Sequence, residues 1–344
     1  MISPLKQNEN LSVNPIRENA LFLMLALIDK ISLPQLPQLP RPVKPGRKQI
    51  YADRLFLKAA VIMTLKRFSK VYELLTTLEE STVEMQQLRQ YLTLDQKMPT
   101  RRTFERRLAS LADLLPCIIA RVGALLVILL GVWQQNGRAA SMDSTVVHAK
   151  DNAVWHKKHQ ETGEVPHSRI DTQAGWTKSG WHGWVYGWKL HVAATVGEIW
   201  LPLAARLTVA NVHDGTVGQE MVSDLPSEVR FILGDQHYRT EEMEFACHLR
   251  GIELVATRGG KYPHTDCGVE VRRVFHQLRS KSIENFNEHF KGIFDSHADV
   301  PTKGKAATAR FALSAILVYQ LGLWIRHELG LPPCQGLKPF LRAV

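Results

Sequence analysis

The sequence predicts an α/β protein: a mixed five-stranded sheet flanked by helices, preceded by an all-helical N-terminal region. Three observations carry this. Apolar positions recur at helical spacing through about residue 137, and from 138 onward the texture changes to short β-branched or alternating runs. The third is order: strands at 138–149, 185–195 and 199–210, a helix at 214–224, a strand at 230–234, a helix at 239–249, a strand at 252–257, and long helices from about 279. Strands joined first by hairpins and then by crossover helices make a mixed sheet. The division falls between an N-terminal region, 1–137, and a second domain, 138–344, with no internal repeat or low-complexity tail.

In the first region, ALFLMLALI at 20–28 reads as a buried helix. It is too short to span a bilayer, lacks a small-residue cleavage site and runs into Asp29 and Lys30. A proline-punctuated connector at 34–45 should be extended. Between Arg41 and Lys70 there are nine Lys or Arg residues against one acid, Asp53. They form either a solvated helix face or a phosphate-contacting surface. VEMQQLRQYL and TRRTFERRLASLADLL then read as two helices joined through Pro99, with Thr100 as N-cap of the second. Arg101, Arg102, Arg106 and Arg107 cluster at its start, where a recognition helix meets DNA; an ordinary helix pair is the alternative. The apolar run at 122–133 stops short of the roughly 18 residues a membrane span needs and reads as a core helix.

Composition narrows the function classes. The chain has 344 residues, is 45% hydrophobic and carries 43 Lys plus Arg against 33 Asp plus Glu, a formal charge of +10. That excess favours polyanionic partners, and no membrane partner is expected. Cys117, Cys247, Cys267 and Cys334 form no CxxC pair, which argues against a zinc site or a disulfide framework and fits a reducing cytoplasm.

Three acids stand in three different local settings. Asp143 lies in the strand pattern RAASMDSTVVHA, Asp235 follows the strand pattern RFILGD, and Glu284 lies in the helical run SKSIENFNEHFKGIF. Two strands and a helix can converge on a point, and carboxylates gathered there need cations, Mg²⁺ or Mn²⁺ with hard oxygen ligands. Such an arrangement suits two-metal phosphoryl transfer. Taken singly, each acid has a plainer role: a turn cap, a strand-to-loop closure, a surface pair on a helix.

The ordered blocks MDSTVV (142–147), YGWKLHVAAT (186–195), LTVANVHDGT (207–216), ILGDQHY (232–238) and IENFNEHFK (283–291) resemble the DDE transposases of bacterial insertion sequences, the IS-four and IS-five-like group, over roughly 140–295. The resemblance implies a ribonuclease-H-like catalytic domain and a DNA-binding helical region before it. It places the family's metal-holding and catalytic acids on Asp143, Asp235 and Glu284, with two divalent ions per site. Lys291, seven residues after Glu284, matches a lysine common among relatives and joins the catalytic set. The arginine that relatives carry four residues before the glutamate would fall on Ser280; Arg279 and Lys281 flank it instead. Arg279, Lys281 and Lys291 are expected to hold DNA phosphates. The activity implied is cleavage at insertion-sequence ends and transfer of the freed 3′-hydroxyl into target DNA by a homodimer, with inverted repeats and target DNA as partners, in a bacterial cytoplasm. The alternatives are a DNA-binding protein of transposase descent without transposition activity, or a metal-dependent nuclease lacking strand transfer.

Other groups are weaker candidates. His213 and Asp214 resemble a metal-binding HD pair but lack further suitably placed histidines, and His148, His156, His159 and His167 lack zinc spacing. Six of the eight Trp residues lie between 155 and 200. Trp184, Trp188 and Trp200 read as sheet-packing, while Trp176 and Trp181, in the Gly-rich stretch GWTKSGWHG, read as base-stacking candidates. Asp171 is a possible extra acid.

Overall fold

The computed structural model describes residues 20–31, 51–93, 97–135, 138–150, 170–179, 183–256, 266–294 and 300–342. The proline connector, Trp181, His156, His159 and His167 lie outside them. Helices α1 (Ala20–Lys30), α2 (Asp53–Leu65), α3 (Val71–Glu79), α4 (Val83–Leu92), α5 (Arg101–Leu129) and the single turn α6 (Val132–Gln135) come first. Then follow β1 (Ala139–His148), β2 (Gly175–Ser179), β3 (Gly183–Thr195), β4 (Pro202–Val209), α7 (Asp214–Val222), β5 (Phe231–Gly234), α8 (Glu241–Leu249) and β6 (Glu253–Ala256). Helices α9 (Asp266–Arg279), α10 (Asn285–Phe294), α11 (Lys305–Glu328) and α12 (Leu337–Arg342) complete the chain, with a π turn, Ser280–Glu284, between α9 and α10.

The sheet has six strands where the sequence suggested five. Its path is β2-β3-β1-β5-β6, with β4 also on β3. Strand β3 is long enough to pair β2 along residues 183–187 and β4 along 188–194 on one edge, while its other edge pairs β1. The additional strand is β2, which the glycines around it had made look like loop. β1, β5 and β6 run parallel, and β3 is antiparallel to β1.

Helices and sheet share one core. α5 is a single helix that continues through Pro116, joining the segments read as a recognition helix and a core helix, and Thr100 caps it by accepting the Thr103 N–H. Gly123 lets its backbone lie on β4, because a Cβ there would stand 2.9 Å from the Pro202 carbonyl oxygen. Buried Gln320 of α11 fastens the junction, donating at 2.9 Å to the carbonyls of Ile119 in α5 and Pro202 in β4. The two bonds donated by its Nε2 tie α5, β4 and α11 into one arrangement, while its Oε1 is buried with no bonded partner among the described residues.

Two basic residues of the 41–70 segment, Arg54 and Lys58, turn inward. Lys58 is buried and donates to Asp29 at 2.7 Å and to the Tyr91 carbonyl, and Arg54 donates to the Ile31 carbonyl. Both are used in tying helices together, so neither described residue belongs to a solvated or phosphate-contacting face.

Candidate active site

Asp143 and Asp235 arrive side by side through strand register. β1 and β5 pair in parallel as Ala139 with Phe231, Ala140 with Ile232 and Ser141 with Leu233, and the same 92-residue offset carries Asp143 to Asp235 just beyond the last pair. Parallel partners in register point to the same face, with strands about 4.8 Å apart. Asp235 caps a short 3₁₀ turn, Gln236–Tyr238, accepting the His237 N–H at 2.8 Å. That turn is held tightly: a Cβ on Gly234 would stand 2.9 Å from the Tyr238 Cβ and 3.1 Å from its buried ring, and one on Gly218 2.7 Å from the ring.

Asp143 faces the helix that follows the π turn. Its Oδ2 accepts the Asn287 side-chain amide at 3.1 Å, its Oδ1 accepts the Ser144 N–H at 2.9 Å, and the Arg279 guanidinium stands 3.6 Å away. Burial raises the Asp143 carboxyl to about 6; Arg279 and the Ser144 N–H oppose the rise, and the negative charge of Asp235 and Asp214 adds to it. Tyr238 feels the same field, its phenol held well above its usual range by burial and by Asp143, Asp214 and Asp235. Lys291 is depressed by burial, with Asp143 opposing.

Glu284 is not gathered in. It ends the π turn exposed to solvent, and among the described residues no cluster of three His, Cys, Asp or Glu side chains is close enough to hold a metal ion. It stands three and seven residues before Asn287 and Lys291 and so shares their helix face, one turn before the point where Asn287 meets Asp143. The strand register brings two of the three expected carboxylates, Asp143 and Asp235, together, and the third is not among them. The donor set present, two carboxylates with an amide oxygen nearby, is hard oxygen throughout and suits a divalent cation of the Mg²⁺ or Mn²⁺ kind.

The remaining expected residues are distributed unevenly. Arg102 and Arg106 lie one turn apart on the exposed face of α5. Arg101 is paired with Glu105 at 2.8 Å, and Arg107 is paired with Asp53 and lies 4.9 Å over the Phe56 ring, so that side chain serves packing. Lys281 is exposed. Trp176 is in β2, not in a loop, with its ring 5.2 Å from that of Tyr186. Trp188 is buried as expected, but Trp184, read as sheet-packing, is 69% exposed. Asp171 is buried and structural, accepting the N–H groups of Gln173 and Gly304.

Two features escaped sequence reasoning. Asn287 was one, although its spacing from Glu284 was a usable signal. The other is a buried polar group on the opposite face of the sheet: Lys189 donates to Asp214 at 3.0 Å and to the Val212 carbonyl, and His191 bonds Thr208 at 2.8 Å. His191 is lowered to about 4 by burial, with Asp214 opposing and Lys189 adding, and is neutral at ordinary pH. The HD pair therefore works as a helix start, His213 capping α7 through the Gly215 N–H and Asp214 anchoring it to β3.

Comparison with known proteins bears on this arrangement. Residues 139–295 match the family model described as Transposase DDE domain. A cryo-EM structure of a piggyBac transposase synaptic complex with hairpin DNA is similar at a TM-score of 0.38 and 10% identity, over 95% of this chain and 76% of that one, a likeness too distant to carry an argument. No curated protein matches. The matched segment contains Asp143, Asp235 and Glu284, so the candidate site lies wholly within the part of the chain that is similar to a transposase DDE domain.

Proposed function

We propose that the protein cuts phosphodiesters at the ends of an insertion sequence and joins the freed 3′-hydroxyl to target DNA. The observation that carries this reading is the register that sets Asp143, midway along β1, beside Asp235 at the end of β5, with burial raising the Asp143 carboxyl and the charge of Asp235 adding to the rise. Asp143 and Asp235 would hold divalent cations, Mg²⁺ or Mn²⁺, two per site, and Glu284 would complete the set by turning inward from the adjacent helix turn. When bound, such ions polarise the scissile phosphate and lower the pKa of the attacking hydroxyl. The protein supplies the geometry: the Gly234–Tyr238–Gly218 packing fixes Asp235, Asn287 fixes Asp143, and Arg279, Lys281 and Lys291 offer positive charge to the phosphates on either side.

The strand order β4-β3-β1-β5-β6, with β3 antiparallel, supports a ribonuclease-H-like core for 138–344. The helical region 1–137 would contact DNA through Arg102 and Arg106 on the exposed start of α5, and Trp176 and Trp181 remain candidates for base contact. Two ends must be held together, so the working complex would be at least a homodimer. The exposed position of Glu284 favours one second reading, a DNA-binding protein of transposase descent whose chemistry is lost.

The test is cleavage and joining on DNA carrying the sequences that flank the coding region, in Mg²⁺ or Mn²⁺, with wild type, Asp235→Ala and Glu284→Ala. Metal-dependent joining lost in both variants supports the proposal. Binding without cleavage in the wild type supports the second reading, and cleavage without joining leaves a nuclease.

A further inference from the structure

The helix carrying Glu284 holds one residue more than a regular helix would fit between its two ends, and the π turn takes it up. Arg279 stands five residues before Glu284, and Ser280–Glu284 is the π turn between them. A π turn is an insertion that leaves the flanking helices in their original phase. Phe275 before it, Ile283 within it and Phe286 after it are all buried, and Arg279 reaches Asp143 from one side while Asn287 reaches it from the other.

A π turn interrupts the regular pairing of each carbonyl with the N–H four residues on, and its carbonyls take outside partners. Here the Ser282 hydroxyl is shared between the carbonyls of Leu278, at 2.6 Å, and Arg279, at 3.2 Å. The Lys281 carbonyl accepts the indole N–H of Trp200, from the loop joining β3 to β4, at 2.9 Å. Trp200 is itself fixed. Its ring meets the His289 ring of α10 edge-on at 5.7 Å, His289 bonds the Tyr319 hydroxyl at 3.2 Å, and the backbone N–H of Trp200 donates to the Cys334 sulfur at 3.3 Å.

We propose that Trp200 is a positioning residue for the candidate active site, holding the π turn so that Arg279 and Asn287 converge on Asp143 from its two sides. It rests on the reading of Asp143 as an active-site carboxylate. The residue touches neither acid and acts only through the turn.

The test uses the full chain with Trp200→Phe, which keeps a ring and removes the N–H. Expected are amide hydrogen exchange about tenfold faster across 280–287, on the scale of one hydrogen bond removed, and cleavage turnover down by a similar factor at unchanged DNA affinity. A second variant, deletion of Ser280, converts the π turn to plain α-helix and brings Arg279 to four residues before Glu284; in that background Trp200→Phe should change turnover little. Exchange and turnover both as in wild type would overturn the proposal, as would an equal turnover loss in both backgrounds. If wild type does not cleave, the functional reading fails, and the exchange measurement alone decides the role of Trp200.

Discussion

Replacing Asp143 by Asn should make the metal-free protein more stable relative to wild type as pH rises. The native carboxyl is raised from 3.8 to about 6, so between those values the folded state keeps a proton that the unfolded state has lost. Where the folded state binds more protons, stability falls with increasing pH. A shift of this size corresponds to about 3 kcal/mol, roughly half developed by pH 5 and nearly all by pH 7. The side chain is still 24% exposed, which makes that an upper figure. Leaving the guanidinium of Arg279 opposite a neutral group adds only a constant offset. The assay is urea unfolding in a chelator at intervals from pH 4 to 8 for wild type and Asp143→Asn. The gap should open with pH in favour of the variant and shrink when Mg²⁺ is added to wild type. A gap independent of pH, or one opening in favour of wild type, would mean that the Arg279 attraction outweighs burial and would refute the reasoning.

Other perturbations separate the scaffold from the site. Gly123→Val places a Cβ 2.9 Å from the Pro202 carbonyl oxygen and 3.1 Å from the Leu203 Cα, backbone that cannot easily yield, and should cost about 1–3 kcal/mol of stability, read from the unfolding midpoint. Gly218→Ala drives a methyl into the Tyr238 ring at 2.7 Å, next to the turn that Asp235 caps, and should lower cleavage more than DNA affinity; equal losses would show a general folding defect. Arg102→Gln with Arg106→Gln should weaken DNA binding and reduce the slope of log affinity against log salt by about 0.9 for each phosphate no longer neutralised. Arg107→Gln should instead lower thermal stability, because its partner is Asp53.

What the sequence made legible depended on how local the cause was. Asp143 and Asp235 could be located because each belongs to a short apolar strand, and parallel pairing at constant offset did the rest. Glu284 was legible as a position on a helix, but where its side chain points depends on the π turn, and periodicity does not record one inserted residue. The displaced arginine at 279 was the trace that insertion left. β2 was hidden because GWTKS has the glycine content of a loop and becomes a strand only through its partner, residues 183–187. The inward use of Lys58 could not be read either, since Asp29 lies 29 positions away and meets it only after α1 packs on α2. Thr100 was legible because an N-cap is a contact across three residues.

The most direct test of the site is the anomalous scattering of Mn²⁺ in crystals of the wild-type protein. The account predicts density between the carboxylates of Asp143 and Asp235, with the Glu284 side chain turned in to reach it and the Arg279 guanidinium displaced from Asp143. Mn²⁺ bound only elsewhere, or no Mn²⁺ while Arg279 stays against Asp143, would contradict it.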